Sequence, residues 1–127
     1  MSMKSAFNSS VLYLLIALTG FFTSCKKDQG PAPQTGTLLA YTDIKKSEFD
    51  RIDVIVDGKV AASLTAPFDV KPTCGAKSSP SAVVIPLAPG TYKVYAIQYK
   101  DGKNVGEWEE ENETITANKC SPFNWTE

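Results

Sequence analysis

Two regimes of hydrophobic patterning divide the chain. From Val11 to Phe22 the residues carry no charge and are almost all apolar, without alternation. From Thr37 onward, apolar residues alternate with polar ones or gather in short runs broken by Gly, Pro, Asn and Asp. That is the pattern of half-buried strands, and no stretch there holds a helical period. Between the regimes, 26–36 holds no large apolar residue but two prolines and two glycines, which oppose helix and strand alike. It reads as a flexible tether. The organisation expected is therefore a leader over 1–24, Cys25 and a linker over 25–36, and one domain over 37–127.

Within the domain the period of two places the strands. Thr37–Thr42 is a first strand, and Asp43–Asp50 has room for a single helical turn. In Arg51–Val56, Ile52, Val54 and Val56 share one face. Asp57-Gly58 predicts a two-residue type I′ turn, whose central residues both need positive φ, and Lys59–Leu64 returns as the paired strand. Pro67–Pro80 reads as a long connection with a short edge strand at Phe68–Val70. Ser81–Leu87 follows, with Pro86 demanding a strand end or a sheet edge. Thr91–Tyr99 is the longest strand, with Tyr92, Val94 and Ala96 on one face and Tyr95, Ile97 and Tyr99 on the other. Asp101-Gly102 marks a second hairpin into Asn104–Trp108, and Glu113–Ala117 and Cys120–Trp125 close the domain. The fold class expected is all-β, a two-sheet antiparallel sandwich of about seven strands.

The apolar leader run is 12 residues long, preceded by Lys4 and followed by Thr23-Ser24-Cys25. A membrane span needs about 20 apolar residues. The order of one positive charge, an apolar stretch and small residues is that of an export signal; a retained transmembrane anchor is the alternative. Phe22-Thr23-Ser24-Cys25 resembles a lipobox, with Phe22 where the usual pattern has Leu. The run Ser24-Cys25-Lys26-Lys27-Asp28 resembles lipoproteins of the Bacteroidetes kind. The resemblance implies cleavage before Cys25, diacylation of its thiol and a membrane partner held through that lipid. With two or more acyl chains, at about 0.8 kcal/mol per buried methylene, anchoring is stable. By analogy the outer membrane is favoured, since Lys26 does not resemble the aspartate of inner-membrane retention; periplasmic and surface-facing display both stay open.

Two further segments resemble a family. Leu87-Ala88-Pro89-Gly90-Thr91-Tyr92-Lys93-Val94 and Val56-Asp57-Gly58-Lys59-Val60 are similar to the strand opening and hairpin of PEGA-type and carboxypeptidase-regulatory-like modules, which are transthyretin-like or immunoglobulin-like sandwiches. The resemblance implies a fold and no activity.

Composition narrows the chemistry. The 127 residues carry a formal net charge of -1 and no histidine. Without histidine, Ser-His-Asp and Cys-His catalysis and H-E-x-x-H metal sites are excluded. Without a basic stripe, nucleic acid is not an expected partner. No nucleophile, phosphate or metal signature marks an enzyme, and no cofactor is expected.

Once Cys25 is lipidated, Cys74 and Cys120 are left. In an oxidising compartment an even pair reads as a disulfide; two free buried thiols are the alternative. Glu107, Glu109, Glu110, Glu111 and Glu113 form the densest charge cluster. Such a cluster can be a calcium site or a catalytic carboxylate pair, or simply a solvated turn between strands. The Asp, Asn and Gly offsets of a calcium loop are missing. Tyr95, Tyr99, Trp108 and Trp125 are the candidate ligand contacts, able to hold a sugar ring or a partner chain if they share an exposed face. The function expected is a membrane-anchored envelope lipoprotein acting as a non-catalytic binding or structural module for an envelope protein. The alternative is a carbohydrate-binding or adhesion lipoprotein using those aromatics on a glycan.

Overall fold

In the computed structural model, residues 34–126 are described. They form eight strands and one short 3₁₀ turn at Lys46–Glu48. The strands are β1 (Gly36–Thr42), β2 (Arg51–Val56), β3 (Lys59–Leu64), β4 (Ala82–Leu87), β5 (Gly90–Lys100), β6 (Lys103–Glu107), β7 (Glu111–Ile115) and β8 (Cys120–Trp125). Both predicted hairpin turns form, with positive φ at Asp57, Gly58, Asp101 and Gly102. The edge strand expected at Phe68–Val70 does not form. The strand expected at Glu113–Ala117 forms as Glu111–Ile115, two residues earlier.

The strands build two sheets. One is ordered β4-β1-β8; the other is β3-β2-β5-β6, with β7 also on β5. The pairing is antiparallel except for β1 with β8, which run parallel from Thr37 opposite Cys120 to Thr42 opposite Trp125. Pro86 lies on β4, an edge strand, where its missing N–H disturbs no inner ladder.

Each sheet turns one face inward. Leu38 and Ala40 of β1, Val83 and Ile85 of β4, and Trp125 of β8 meet Ile52 and Val54 of β2 and Val94 and Ala96 of β5. Phe49 and Ile44, from the segment joining β1 to β2, plug one end. Burial of this apolar surface, at about 25 cal/mol per Å², is the main stabilising term. Gly36 is required where it sits: a Cβ there would overlap the Thr116 carbonyl oxygen and the Ile115 side chain.

The three-stranded sheet also buries residues on its outer face. Leu39, Tyr41 and Ala82 pack with Phe68, Val84 and Cys120. Their cover is the proline-rich connection between β3 and β4. Phe68 meets Tyr41 edge-on at 5.4 Å, its amide donates to the Thr42 carbonyl, and Ser78 Oγ accepts from the Val84 amide. Cys74 then joins Cys120 in a disulfide, Cα atoms 5.9 Å apart. The connection is thus a third layer, anchored covalently at the start of β8.

Asp50 ties the β5–β6 hairpin to the start of β2. Its carboxylate accepts from the Asp101 amide at 2.7 Å and from Lys100 Nζ at 3.2 Å. The Asp101 amide foremost, then Lys100, holds this carboxyl below its ordinary 3.8. A lowered folded-state pKa stabilises the fold above about pH 3.8, and the contribution is lost as pH falls through the lowered value. The side-chain carboxyl carbon of Asp50 is therefore expected to titrate with a midpoint below 3.8 in an NMR series. A midpoint above 3.8 would contradict the assignment.

Candidate functional site

The outer edge of the five-stranded sheet is broken, and the break shapes the candidate site. β5 is 11 residues long and lends its two halves to different partners. Ile97–Lys100 pairs with β6, and Gly90–Val94 with β7. Between the two partners the chain leaves the ladder at Trp108, Glu109 and Glu110. Trp108 keeps one backbone bond, its amide to the Ala96 carbonyl at 3.0 Å. Its indole packs against the core, with Nε1 donating to the Thr126 carbonyl at 3.3 Å.

A cleft of about 570 Å³ opens beside this break. Trp108, Phe123 and Trp125 form its aromatic side, with Phe123 and Trp125 ring centroids 4.9 Å apart and Trp108 6.4 Å from Trp125. Glu109, Glu111 and Glu113 also line it, and no Lys or Arg does. Glu111 stands opposite Val94 and Glu113 opposite Tyr92. Val94 is buried and Tyr92 packs on the core, so both carboxylates lie on the inward face of β7. Such positions are ordinarily apolar in a sandwich. Here they line the open cleft, Glu111 exposed and Glu113 half-buried.

A shallower depression of about 420 Å³, lined by Tyr95, Glu107, Trp108, Glu109 and Glu110, shares Trp108 and Glu109 with the cleft. Glu110 is paired with Lys93 at 3.1 Å across exposed surface, where such pairs contribute little.

The four candidate aromatics do not form one stripe. Tyr95 and Tyr99 stand half-buried on the outer face of the five-stranded sheet, and the Arg51 guanidinium covers Tyr99 at 4.5 Å. Arg51 also pairs with Asp53 at 2.8 Å, and Asp53 accepts from Ser63 at 2.7 Å. Trp125 is a correction to the reading of a surface contact: it is 3% exposed and belongs to the core. Alternation along Cys120–Trp125 puts Phe123 and Trp125 on one face, and the inward direction of that face decides the burial.

The five glutamates diverge because Glu107, opposite Ile97, points outward while Glu111 and Glu113 point inward. Among the described residues no group of three or more His, Cys, Asp or Glu is placed to hold a metal. Cys25 and the leader lie outside the described residues.

No family model and no curated protein matches the chain. Among solved structures, a leucine-rich repeat protein from Bacteroides thetaiotaomicron is similar at 16% identity and a TM-score of 0.41. The match covers 73% of this chain and 12% of that one.

Phe123, Pro122 and Thr126 were not foreseen as lining residues. Their position depends on β7 and β8 lying at facing edges of different sheets, which no local pattern reports.

Proposed function

We propose that this protein is a lipid-anchored envelope module that binds a partner without transforming it, and that the cleft beside Trp108 is its contact surface. The observation that carries the reading is the cleft itself: an aromatic side and a carboxylate side at an open sandwich edge. Buried aromatic anchors beside a polar rim are the usual anatomy of a protein contact. The leader argues for the address, since its 12-residue apolar run ends at a cysteine that can take lipid. The absence of histidine leaves no imidazole base for acyl or metal chemistry. We read the domain as akin to the PEGA-type and carboxypeptidase-regulatory-like modules, on the strand-opening segment Leu87–Val94 and the hairpin segment Val56–Val60 alone.

The address is tested by metabolic labelling with tritiated palmitate and detergent phase partition. The wild-type chain is expected to take label and enter the detergent phase, and Cys25→Ser to do neither. Label on the Ser variant, or none on the wild type, overturns the lipid anchor.

A second reading is carbohydrate binding in the shallower depression, where the rings of Tyr95 and Trp108 stand beside three carboxylates. Rings stack on sugar faces and carboxylates accept from hydroxyls.

A further inference from the structure

The cleft has a direction and a sign. It runs beside β7 and β8, which pair on one side only, with β5 and with β1. Its length is thus set by two extended segments. Its lining holds three carboxylates, Glu109, Glu111 and Glu113, and no cation. Glu111 and Glu113 share one face of β7, so their side chains repeat at about 7 Å, two residues of strand rise. Among the described residues neither forms an ion pair; the pair in this region goes to Glu110. The opposite wall is aromatic, where Phe123 and Trp125 alternate with the exposed Pro122 and Asn124.

From this we infer that the cleft takes an extended segment of a partner protein that presents Lys or Arg at every second position. The inference rests on the binding-module reading and names its partner class. An extended chain places alternate side chains on opposite sides. Alongside β7, the set turned into the cleft meets Glu111 and Glu113 at their own spacing with Phe123 across from it, and the other set faces out of the cleft. An ammonium or guanidinium near that ring also gains from the ring quadrupole. β7 holds no proline, and its Glu111–Glu113 stretch precedes the point where the Thr114 carbonyl accepts from Ser121 Oγ of β8 at 3.4 Å, whereas Pro122 interrupts the N–H row of β8. The segment is therefore placed along β7. Charge complementarity of this kind sets the choice of partner and the rate of encounter more than raw affinity.

The chain supplies its own reporter. Its two tryptophans are Trp108 and Trp125, and both line the cleft. Tryptophan emission of the mature domain is titrated with a blocked pentapeptide alternating lysine with valine. The same peptide with glutamate for lysine, a neutral glucan oligosaccharide and calcium chloride are titrated at matched ionic strength. The lysine peptide alone is expected to shift the emission, and the shift to weaken as salt is raised. Glu111→Gln with Glu113→Gln, which keeps side-chain size, is expected to weaken that peptide about tenfold at an unchanged melting temperature. A lysine-peptide response indifferent to the double substitution overturns the placement. A response to the oligosaccharide or to calcium instead keeps the cleft as a binding site and overturns the cationic segment. Silence from every probe overturns both. Self-association of the double variant, without peptide binding by the wild type, overturns the inference in favour of glutamates that guard a sheet edge.

Discussion

Replacing Cys74 and Cys120 together with serine is expected to cost the oxidised domain about 4 kcal/mol of unfolding free energy. The bridge closes a loop with a sequence separation of 46, and most of its effect in the chain-entropy model falls on the unfolded chain. Against a total of about 5–15 kcal/mol, the loss brings the domain near its folding limit. The structure adds a local consequence. The bridge fastens the proline-rich connection over Leu39 and Tyr41, so its loss loosens that layer before the sandwich opens. Urea unfolding with and without reductant measures the first effect. Faster tryptic cleavage after Lys77 in the reduced form measures the second. A change below about 1 kcal/mol, with no gain in cleavage, would show that packing of Phe68 alone holds the connection.

Phe49→Ala is the second large effect. Phe49 is fully buried and belongs to the central core. Truncating such a ring costs about 3–5 kcal/mol through lost burial and the cavity left behind. In a domain of this size that amounts to a fall in melting temperature of well over ~10 °C. Lys46 Nζ lies 5.2 Å from the ring centroid and donates to the Thr65 carbonyl at 2.7 Å. The 3₁₀ turn is therefore fastened both to the core and to the end of β3, and the substitution is expected to loosen both. Phe49→Leu, which keeps most of the volume, is expected to recover more than half of the lost stability. Equal losses in the two variants would rule out volume as the cause.

Phe49 also shows where local reading stops. It stands in a segment with no period of two and no run of its own. Nothing in Asp43–Asp50 says that its ring, and not its neighbours, closes the sandwich end. The strands were legible because their signals are local. Ile52, Val54 and Val56 alternate in sequence and are all buried; Asp57-Gly58 and Asp101-Gly102 need only their own backbone to turn. Pro86 excluded an inner position through its missing N–H, and β4 is an edge strand. Phe68–Val70 misled because its short apolar pattern serves another purpose: Phe68 covers a sheet and joins none.

The candidate site was legible in its parts and not in its assembly. Trp108 and the glutamates stood out by composition. That Trp125 is buried, and that Tyr95 and Tyr99 lie on the other side of the sheet from the cleft's inward-facing glutamates, follows from sheet pairing. A strand's alternation sorts its residues into two faces but does not say which face is inside.

By itself, then, the sequence determined the class of fold, the positions of most strands and both tight turns. These follow from side-chain period and from backbone φ, which act over a few residues. The pairing of Cys74 with Cys120, expected from the even pair, is present; only the tertiary structure decided that β1 runs parallel to β8, that β6 and β7 share β5, and that the bridge lies across the outer layer. It also decided that two glutamates face inward at an uncovered edge. Those choices depend on which distant apolar faces bury one another, and a free energy summed over the whole core has no signature in any single stretch of chain.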